Sequence, residues 1–454
     1  MHPISIIPIH TTIIDYNFKK LYMKSCKTTS GVSSLLLICI SVVVIAQPAV
    51  PVLVFQNFQP ITLSSQQSSA HDNIVNQFLN EHLRSPLGPA IQQQNIRVMQ
   101  QFSIKVPGQS SMNKQQQIAE LEAEMKADEY AVSAQQFQFH VNEFMQMRPD
   151  SFSIIKAVYL SEAAYTERLP SYKEFENAIK QVAGYVKQIL KKQGQSLINN
   201  AAVNSAIQKL YAQDNIIHDA KTGKDILIKR LRYDFDDFDG QKDWTKMFVA
   251  KLLLTGSGQC HSLPLLYLCV AEALHCKAWL SLAPNHSFIQ FIDGKGKLAN
   301  FETTNGHLVS LGWLMQSDAI SSIAYKNGTY LDTLSRTELF AQCLADFQMN
   351  YIMKYGYDEY THYLSQKILG YDSTNINALM TEANMAYYQF RYVCAQYGSP
   401  PREQISQYPE LQALYDTAMA AQQKVNDRGY QEMPEKQYMA WLKSIDREKQ
   451  KLKQ

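Results

Sequence analysis

Between residues 256 and 292 the chain reads GSGQCHSLPLLYLCVAEALHCKAWLSLAPNHSFIQFI, and partway through its apolar rhythm changes from helical to alternating. Leu263, Leu266, Tyr267, Val270 and Leu274 recur at the spacing of a helix buried along one face. Pro264 suits the first turn of that helix. Past Leu274, AWLSL and HSFIQFI read as strands joined by the turn APN, and KLANFET reads as a third strand beyond Asp293-Gly294-Lys295-Gly296. Asp-Gly between apolar-rich segments signals a hairpin. A helix that feeds directly into an antiparallel meander must cover the sheet, so the fold class is α+β.

The same segment carries the residues for a chemistry. Gly256 and Gly258 predict a flexible loop, which places Cys260 at the entrance to the helix. There the N–H groups and the positive end of the helix dipole favour thiolate over thiol. Those N–H groups could also donate to a developing oxyanion. Alternation puts His286, Phe288 and Gln290 on one face of their strand, and Leu298, Asn300 and Glu302 on one face of the next. Closing the hairpin brings His286 opposite Glu302 or its immediate neighbour. A one-residue slip in register would separate them. A helix packed on that face delivers Cys260 to the imidazole. Thiolate nucleophile, imidazole acid and base, and a third group that fixes the tautomer make a thiol catalyst. Asn300, on the same face, is the rival for the third position. Gln259 either lines the cleft or satisfies turn hydrogen bonds.

GSGQCHSLPLLYLCVAEAL resembles the nucleophile segment of the transglutaminase-like superfamily, whose helix opens on a Gly-x-Cys turn. NHSFIQF resembles its histidine strand, and NFETTNG its acid strand, usually an Asp two residues before a Thr; here Glu302 stands two before Thr304. The resemblance implies a papain-like cysteine domain with Cys260, His286 and Glu302 as its triad. The helices over 151–192 and the DW-x-x-MFV segment around Trp244 are similar to a bacterial subfamily in which this domain is joined to tetratricopeptide-like helices.

Around this centre the chain divides into four parts. Residues 1–46 contain the apolar run LLLICISVVVI at 35–45, preceded by Lys24 and Lys27. A basic start, a short apolar middle and a small-residue exit describe a signal peptide cleaved after Ala46, with Met23 as its start and residues 1–22 as an upstream extension. Eleven apolar residues fall short of the ~20 that a membrane-spanning helix needs, so no stable membrane anchor is expected. Residues 47–150 begin as a Gln- and Ser-rich arm with an amphipathic stretch at Ile74, Phe78 and Leu83, and turn helical from Asn113. The transglutaminase-like domain takes 151–330. Its first helices carry Ile154, Ile155, Val158 and Tyr165, and then Phe175, Ile179, Val182, Val186 and Ile189 behind a Ser171–Glu174 capping box. Residues 331–454 read as helices throughout. LGYDSTNINALMTEANMAYYQF resembles a junction between tetratricopeptide repeats, GSPPREQ interrupts it, and YMAWLKSIDREKQKLKQ is an amphipathic helix with a basic tail.

Several chemistries are excluded. Forty-three Lys and Arg against 41 Asp and Glu leave a net charge of +2, too small an excess for a nucleic-acid-binding surface. DFDDFDG at 234–240 invites a calcium reading, but alignment on Gly240 puts Phe235 and Lys246 at ligand positions, so it reads as a solvated acidic turn. Cys260, Cys269, Cys276, Cys343 and Cys394 follow the expected cleavage point. An odd number in an exported chain leaves a thiol to explain, and no zinc-ligand spacing appears. Neither a cofactor nor a metal is expected. Two functions fit. One is an exported, periplasmic or secreted, cysteine acyl-transfer enzyme that acts on a protein or peptide as protease or amidase. The other is a non-catalytic scaffold that binds a protein partner through the C-terminal helices.

Overall fold

The computed structural model describes residues 133–166, 169–219, 224–237, 240, 242–398 and 400–430. The signal peptide, the Gln- and Ser-rich arm and the basic C-terminal helix expected above lie outside these residues. Among the described residues no helix is long and apolar enough to cross a membrane.

Helix α1, described over 133–145, lays Phe137, Val141 and Phe144 fully into the core. Helices α2 (Ile154–Tyr165), α3 (Tyr172–Lys192) and α4 (Asn200–Ala212) follow. The capping box at the head of α3 forms as its sequence dictates: Glu174 N–H donates to Ser171 Oγ, and Ser171 N–H donates to the Glu174 carboxylate. Phe175, Ile179, Val186 and Ile189 are buried along one stripe of that helix. A hairpin of β1 (Asn215–Asp219) and β2 (Lys224–Ile228) leads to the short strand β3 (Arg232–Tyr233). A 3₁₀ turn (Trp244–Met247), helix α5 (Val249–Thr255), strand β4 (Ser257–Gly258) and helix α6 (Ser262–Ala273) come next.

The meander is the one the sequence predicts, with one more strand. β5 (Trp279–Ala283), β6 (His286–Ile292), β7 (Leu298–Glu302) and β8 (His307–Val309) form a four-stranded antiparallel sheet in sequential order. Ile289 pairs with Phe301 and Gln290 with Asn300, which fixes the register of the central hairpin. The free edge of β5 is covered by the segment after the sheet, where Leu331 and Leu334 N–H donate to Leu282 and Leu280 carbonyls. Helices α7 (Leu311–Ser317) and α8 (Ser322–Lys326) precede that segment.

The helix does not lie on the face the sequence reading expects. Phe301, on the Ile289 side of the hairpin, meets the rings of Tyr211 on α4 and Tyr267 on α6 at 5.9 and 5.8 Å. So α4 and α6 cover the Ser287–Ile289–Phe291 face, and His286, Phe288 and Gln290 point the other way. The core is apolar on both sides of the sheet, because Phe288 and Ile289, successive residues on opposite faces, are both fully buried.

The C-terminal helices are α9 (Arg336–Tyr355), α10 (Glu359–Tyr371), α11 (Ile376–Gln396) and α12 (Pro409–Asp427). The hydrophobic core runs without a break from the sheet into α9 and the start of α11. Phe144 stacks on Phe340 with centroids 4.3 Å apart, and Phe137 meets Tyr351 edge to face at 5.2 Å. Each such ring, fully withdrawn from water, contributes on the order of 1.5–3 kcal/mol. A polar bridge crosses the same seam: Trp244 Nε1 donates to Asn350 Oδ1 (2.7 Å), and Asn350 Nδ2 donates to the Ser161 carbonyl (2.9 Å). A second, smaller core joins α11 to α12 through Phe390, Ile405, Leu411 and Ala418.

Candidate active site

Cys260 occupies the turn immediately before α6, with Leu263 N–H donating to the Gln259 carbonyl to open the helix. The glycines ahead of it are not flexible. Gly256 caps α5 in the left-handed conformation (φ 66°), and Ser257-Gly258 pairs in parallel with Arg232-Tyr233. A Cβ on Gly258 would come within 2.5 Å of Ser262 Oγ, and that hydroxyl accepts from Gln259 N–H (2.9 Å). Close backbone approach, not mobility, is what glycine supplies here.

Gln259 resolves toward its structural role. Its amide nitrogen donates to the Asp234 and Asp237 carbonyls (3.0 and 2.7 Å), which ties the acidic turn to the nucleophile turn. Asp237 is itself buried, contrary to a wholly solvated turn, since its carboxylate accepts Lys242 and Asp243 N–H. Trp244 is buried with its indole N–H committed to Asn350.

Cys260 and His286 come together around the end of β6. The two-residue turn Pro284-Asn285 links Ala283 to His286, with Asn285 at φ 59°, a conformation asparagine tolerates better than most residues. Cys260 Sγ lies 3.7 Å from the Asn285 carbonyl oxygen, and Ser287 Oγ donates to the Cys260 carbonyl (2.7 Å). Those contacts clamp the nucleophile turn against the first residues of β6. The thiol and the His286 ring are near enough for each to shift the other's ionisation. The other side of the ring is taken by Glu302, whose Oε2 lies 2.5 Å from His286 Nε2. Nε2 being occupied, Nδ1 is the nitrogen left for sulfur.

Glu302 is fixed in turn. Its Oε1 accepts Thr304 N–H (2.9 Å) and Thr304 Oγ1–H (2.7 Å). Asn300 does not share this role: its Oδ1 accepts from Gln290 Nε2 (2.9 Å), directly across the ladder. Of the two carboxylate-face candidates, only Glu302 reaches the imidazole.

Cys260, His286 and Glu302 are all buried, and burial alone would neutralise each of them. Burial pushes the Glu302 carboxyl up, but the adjacent imidazolium and the two Thr304 donors hold it below the usual glutamate value. Burial pushes His286 down, yet the Glu302 carboxylate and the neighbouring Cys260 carry it well above the usual histidine value. Burial raises the Cys260 thiol, and the His286 imidazolium beside it acts in the opposite direction. Sulfur and carboxylate thus flank one imidazole, the arrangement of a thiolate–imidazolium pair. A sulfur in such a pair is a nucleophile without a separate deprotonation step.

Other histidine and cysteine side chains nearby in sequence fall outside this constellation. His261 Nε2 stands 3.8 Å from Asp346 Oδ2 on the α9 side. Cys269 is deep in the core, its thiol pushed far up by burial, and Cys276 lies against Asn200 and Asn204. All five described cysteines are free thiols, and no group of three or more His, Cys, Asp or Glu among the described residues could hold a metal ion.

One part of the site has no signal in the linear pattern. Thr304 enters the sequence reading only as a marker, not as a donor to the acid. No family model, curated protein or solved structure matches the chain, so the site rests on its own geometry.

Proposed function

We propose that the chain is a cysteine acyl-transfer enzyme of transglutaminase-like type that cleaves an amide or peptide bond through a thioester. The observation that supports it is the hydrogen-bond chain from Thr304 through Glu302 to His286, with the Cys260 turn clamped against the residues on either side of that histidine. Nothing in the packing of the core requires a thiol, an imidazole and a carboxyl to be buried together, and each would cost less to bury as an apolar residue.

In the proposed reaction the Cys260 thiolate attacks the substrate carbonyl carbon, and the carbonyl electron pair moves to oxygen. Backbone N–H groups at the head of α6 stabilise that oxyanion. The tetrahedral adduct collapses to a thioester as the His286 imidazolium gives its Nδ1 proton to the leaving amine. Neutral His286 then takes a proton from water, which attacks the thioester. The acid product leaves, and the thiolate–imidazolium pair is restored. Glu302 keeps the ring oriented and balances its charge in both half-reactions. Water is the default acceptor, which favours protease or amidase over crosslinking.

The finer architecture belongs to the same proposal. The helix-and-meander unit is read as a transglutaminase-like domain, and α9–α12 as tetratricopeptide-like helices that could seat a protein partner or substrate. Export after cleavage at Ala46 would bring the enzyme to periplasmic or extracellular peptides.

Alkylation kinetics test the central claim. At neutral pH, Cys260 should react with iodoacetamide far faster than an ordinary thiol, and His286→Ala should abolish the difference. Slow, equal labelling of both proteins would overturn the enzyme reading in favour of the scaffold. A screen of peptide and amide substrates, with Cys260→Ala as the inactive control, then identifies the acyl donor.

A further inference from the structure

We infer that His261 and Asp346 are positioning residues for the nucleophile: through this pair the C-terminal helices hold the Cys260 turn against β6, beside the His286 ring. The inference rests on the enzyme reading above and deepens it, because it makes α9 part of the catalytic unit.

Three consecutive residues of the nucleophile turn are each tied to a different element. The Gln259 amide is spent on the acidic turn, at the Asp234 and Asp237 carbonyls. The Cys260 carbonyl accepts Ser287 Oγ–H from β6. His261 is the N-cap of α6, yet its side chain makes no capping hydrogen bond. It reaches α9 instead, with Nε2 3.8 Å from Asp346 Oδ2. Its backbone is committed as well, since the His261 carbonyl accepts Leu265 N–H (3.3 Å) in the first turn of α6. A ring fixed to α9 and a carbonyl fixed in α6 leave the adjoining Cys260 little freedom.

Asp346 is held in turn by a polar stripe that packing alone does not call for. Gln342, Asp346 and Asn350 recur every four residues along one line of α9, and all three are buried. Asn377 Nδ2 on α11 donates to Gln342 Oε1 (2.9 Å), and Gln342 Nε2 donates to Asp346 Oδ1 (3.1 Å). The contacts therefore run from α11 through α9 to the residue next to the nucleophile. At this seam Asp346 and His261 line one cavity together with the ionisable Glu162 of α2 and Cys343 of α9. Apolar side chains of similar volume would be cheaper to bury there. What they would not supply is a single register between α9 and the turn, which a paired polar network fixes. Register matters to the chemistry, because a displacement of ~1 Å can cost roughly 10²-fold in rate.

The test follows iodoacetamide alkylation from pH 5 to 9, read at the Cys260 peptide by mass, together with the melting temperature of each protein. The full chain is compared with the double variant His261→Leu/Asp346→Leu, with His261→Gln and with Asn350→Ala. Burial pushes the Asp346 carboxyl well up, so leucine, which removes neutral acid and carboxylate alike, is a cleaner change than asparagine. The wild-type inflection should lie below the ordinary thiol value of about 8.5, and the double variant should raise it by roughly one pH unit or more toward that value. Its melting temperature should be similar, since apolar replacement of a buried pair is often neutral or stabilising. His261→Gln, whose amide extends to the place of Nε2, should keep the wild-type inflection. Asn350→Ala loses its bonds to Trp244 and Ser161 on the same stripe, so it should melt lower with the inflection unmoved. Should the double variant not fold, His261→Asn, too short to reach Asp346, must raise the inflection in its place. An inflection that stays put when the pair is removed, or that Asn350→Ala moves as far, overturns the inference and leaves the enzyme reading intact. A wild-type inflection already near the ordinary thiol value overturns both.

Discussion

Glu302 reaches His286 on the diagonal. The ladder pairs Ile289 with Phe301, so one step further Glu302 stands opposite Phe288 and not opposite His286, yet its Oε2 meets Nε2 at 2.5 Å. A diagonal neighbour is farther away than a direct one, and the extra methylene of glutamate over aspartate spans the difference.

That relationship predicts an order among substitutions. Glu302→Gln keeps the shape but can turn an NH₂ toward Nε2, which selects the wrong tautomer and leaves no charge to support the imidazolium. Turnover should fall by roughly two to four orders of magnitude, the range that acid–base catalysis supplies. Glu302→Asp should also lose activity, because its carboxyl falls short by about one C–C bond, ~1.5 Å. The measurement is kcat on any amide substrate, or the alkylation rate of Cys260 where no substrate is in hand. An aspartate variant as fast as the wild type would mean that the diagonal contact does not position the ring.

Asn300 shares the face of Glu302 but not its function. Its partner is Gln290, whose amide nitrogen also donates to the Leu331 carbonyl (3.0 Å) and so fastens the strand that follows the sheet. Asn300→Ala should cost about 0.5–1.5 kcal/mol of stability, the usual net worth of one hydrogen bond. Cys260 reactivity should be unchanged. Chemical denaturation and alkylation on the same protein separate the two effects, and a large loss of reactivity at unchanged stability would return Asn300 to the site.

How far the site can be read from sequence follows from which contacts are local. The order Cys260, His286, Glu302 and the span of β6 were legible, since alternation and an Asp-Gly turn fix a hairpin within a few residues. The face on which α6 packs was not legible. Apolar residues occupy both sides of β6, so its pattern does not say which side the helix covers. β8 escaped because three residues are too few to show alternation. The hairpin of β1 and β2 escaped because exposed Ile216 and Leu227 imitate a buried strand.

The buried pair also makes stability depend on pH, and the sign can be worked out from the two shifts. Glu302 is held below the ordinary glutamate value of 4.5, so its contribution is present above that value and is lost as pH falls through the lower folded one. His286 is raised above the ordinary histidine value of 6.5, so its contribution is complete below that value and is lost as pH rises toward the higher folded one. The two windows overlap between 4.5 and 6.5. Differential scanning of wild type and Glu302→Gln should therefore show the largest gap in melting temperature inside that interval, narrowing on both sides. A gap that keeps growing toward pH 9 would contradict a histidine stabilised as the cation.

Gly306 tests whether the acid strand is held from behind. It follows Thr304-Asn305 in the turn from β7 to β8, at φ 73°, and its N–H donates to the Glu302 carbonyl (2.9 Å). A Cβ there would lie 2.7 Å from the Tyr211 carbonyl oxygen and 2.8 Å from Ala212 Cα, both backbone atoms of α4. Neither can rotate away, so Gly306→Ala must move the turn or the helix end, and it adds the strain of a side chain at positive φ. The two costs together are of order 2–4 kcal/mol, since overpacking typically takes 1–3 and the conformation about 1 more. Because the same turn carries Thr304, the displacement should also weaken its two hydrogen bonds to Glu302 Oε1. Urea denaturation should register the lost stability. At urea concentrations where the variant is still folded, its Cys260 alkylation should be slower than that of the wild type. If stability falls while thiol reactivity is untouched, the turn supports the sheet without holding the acid.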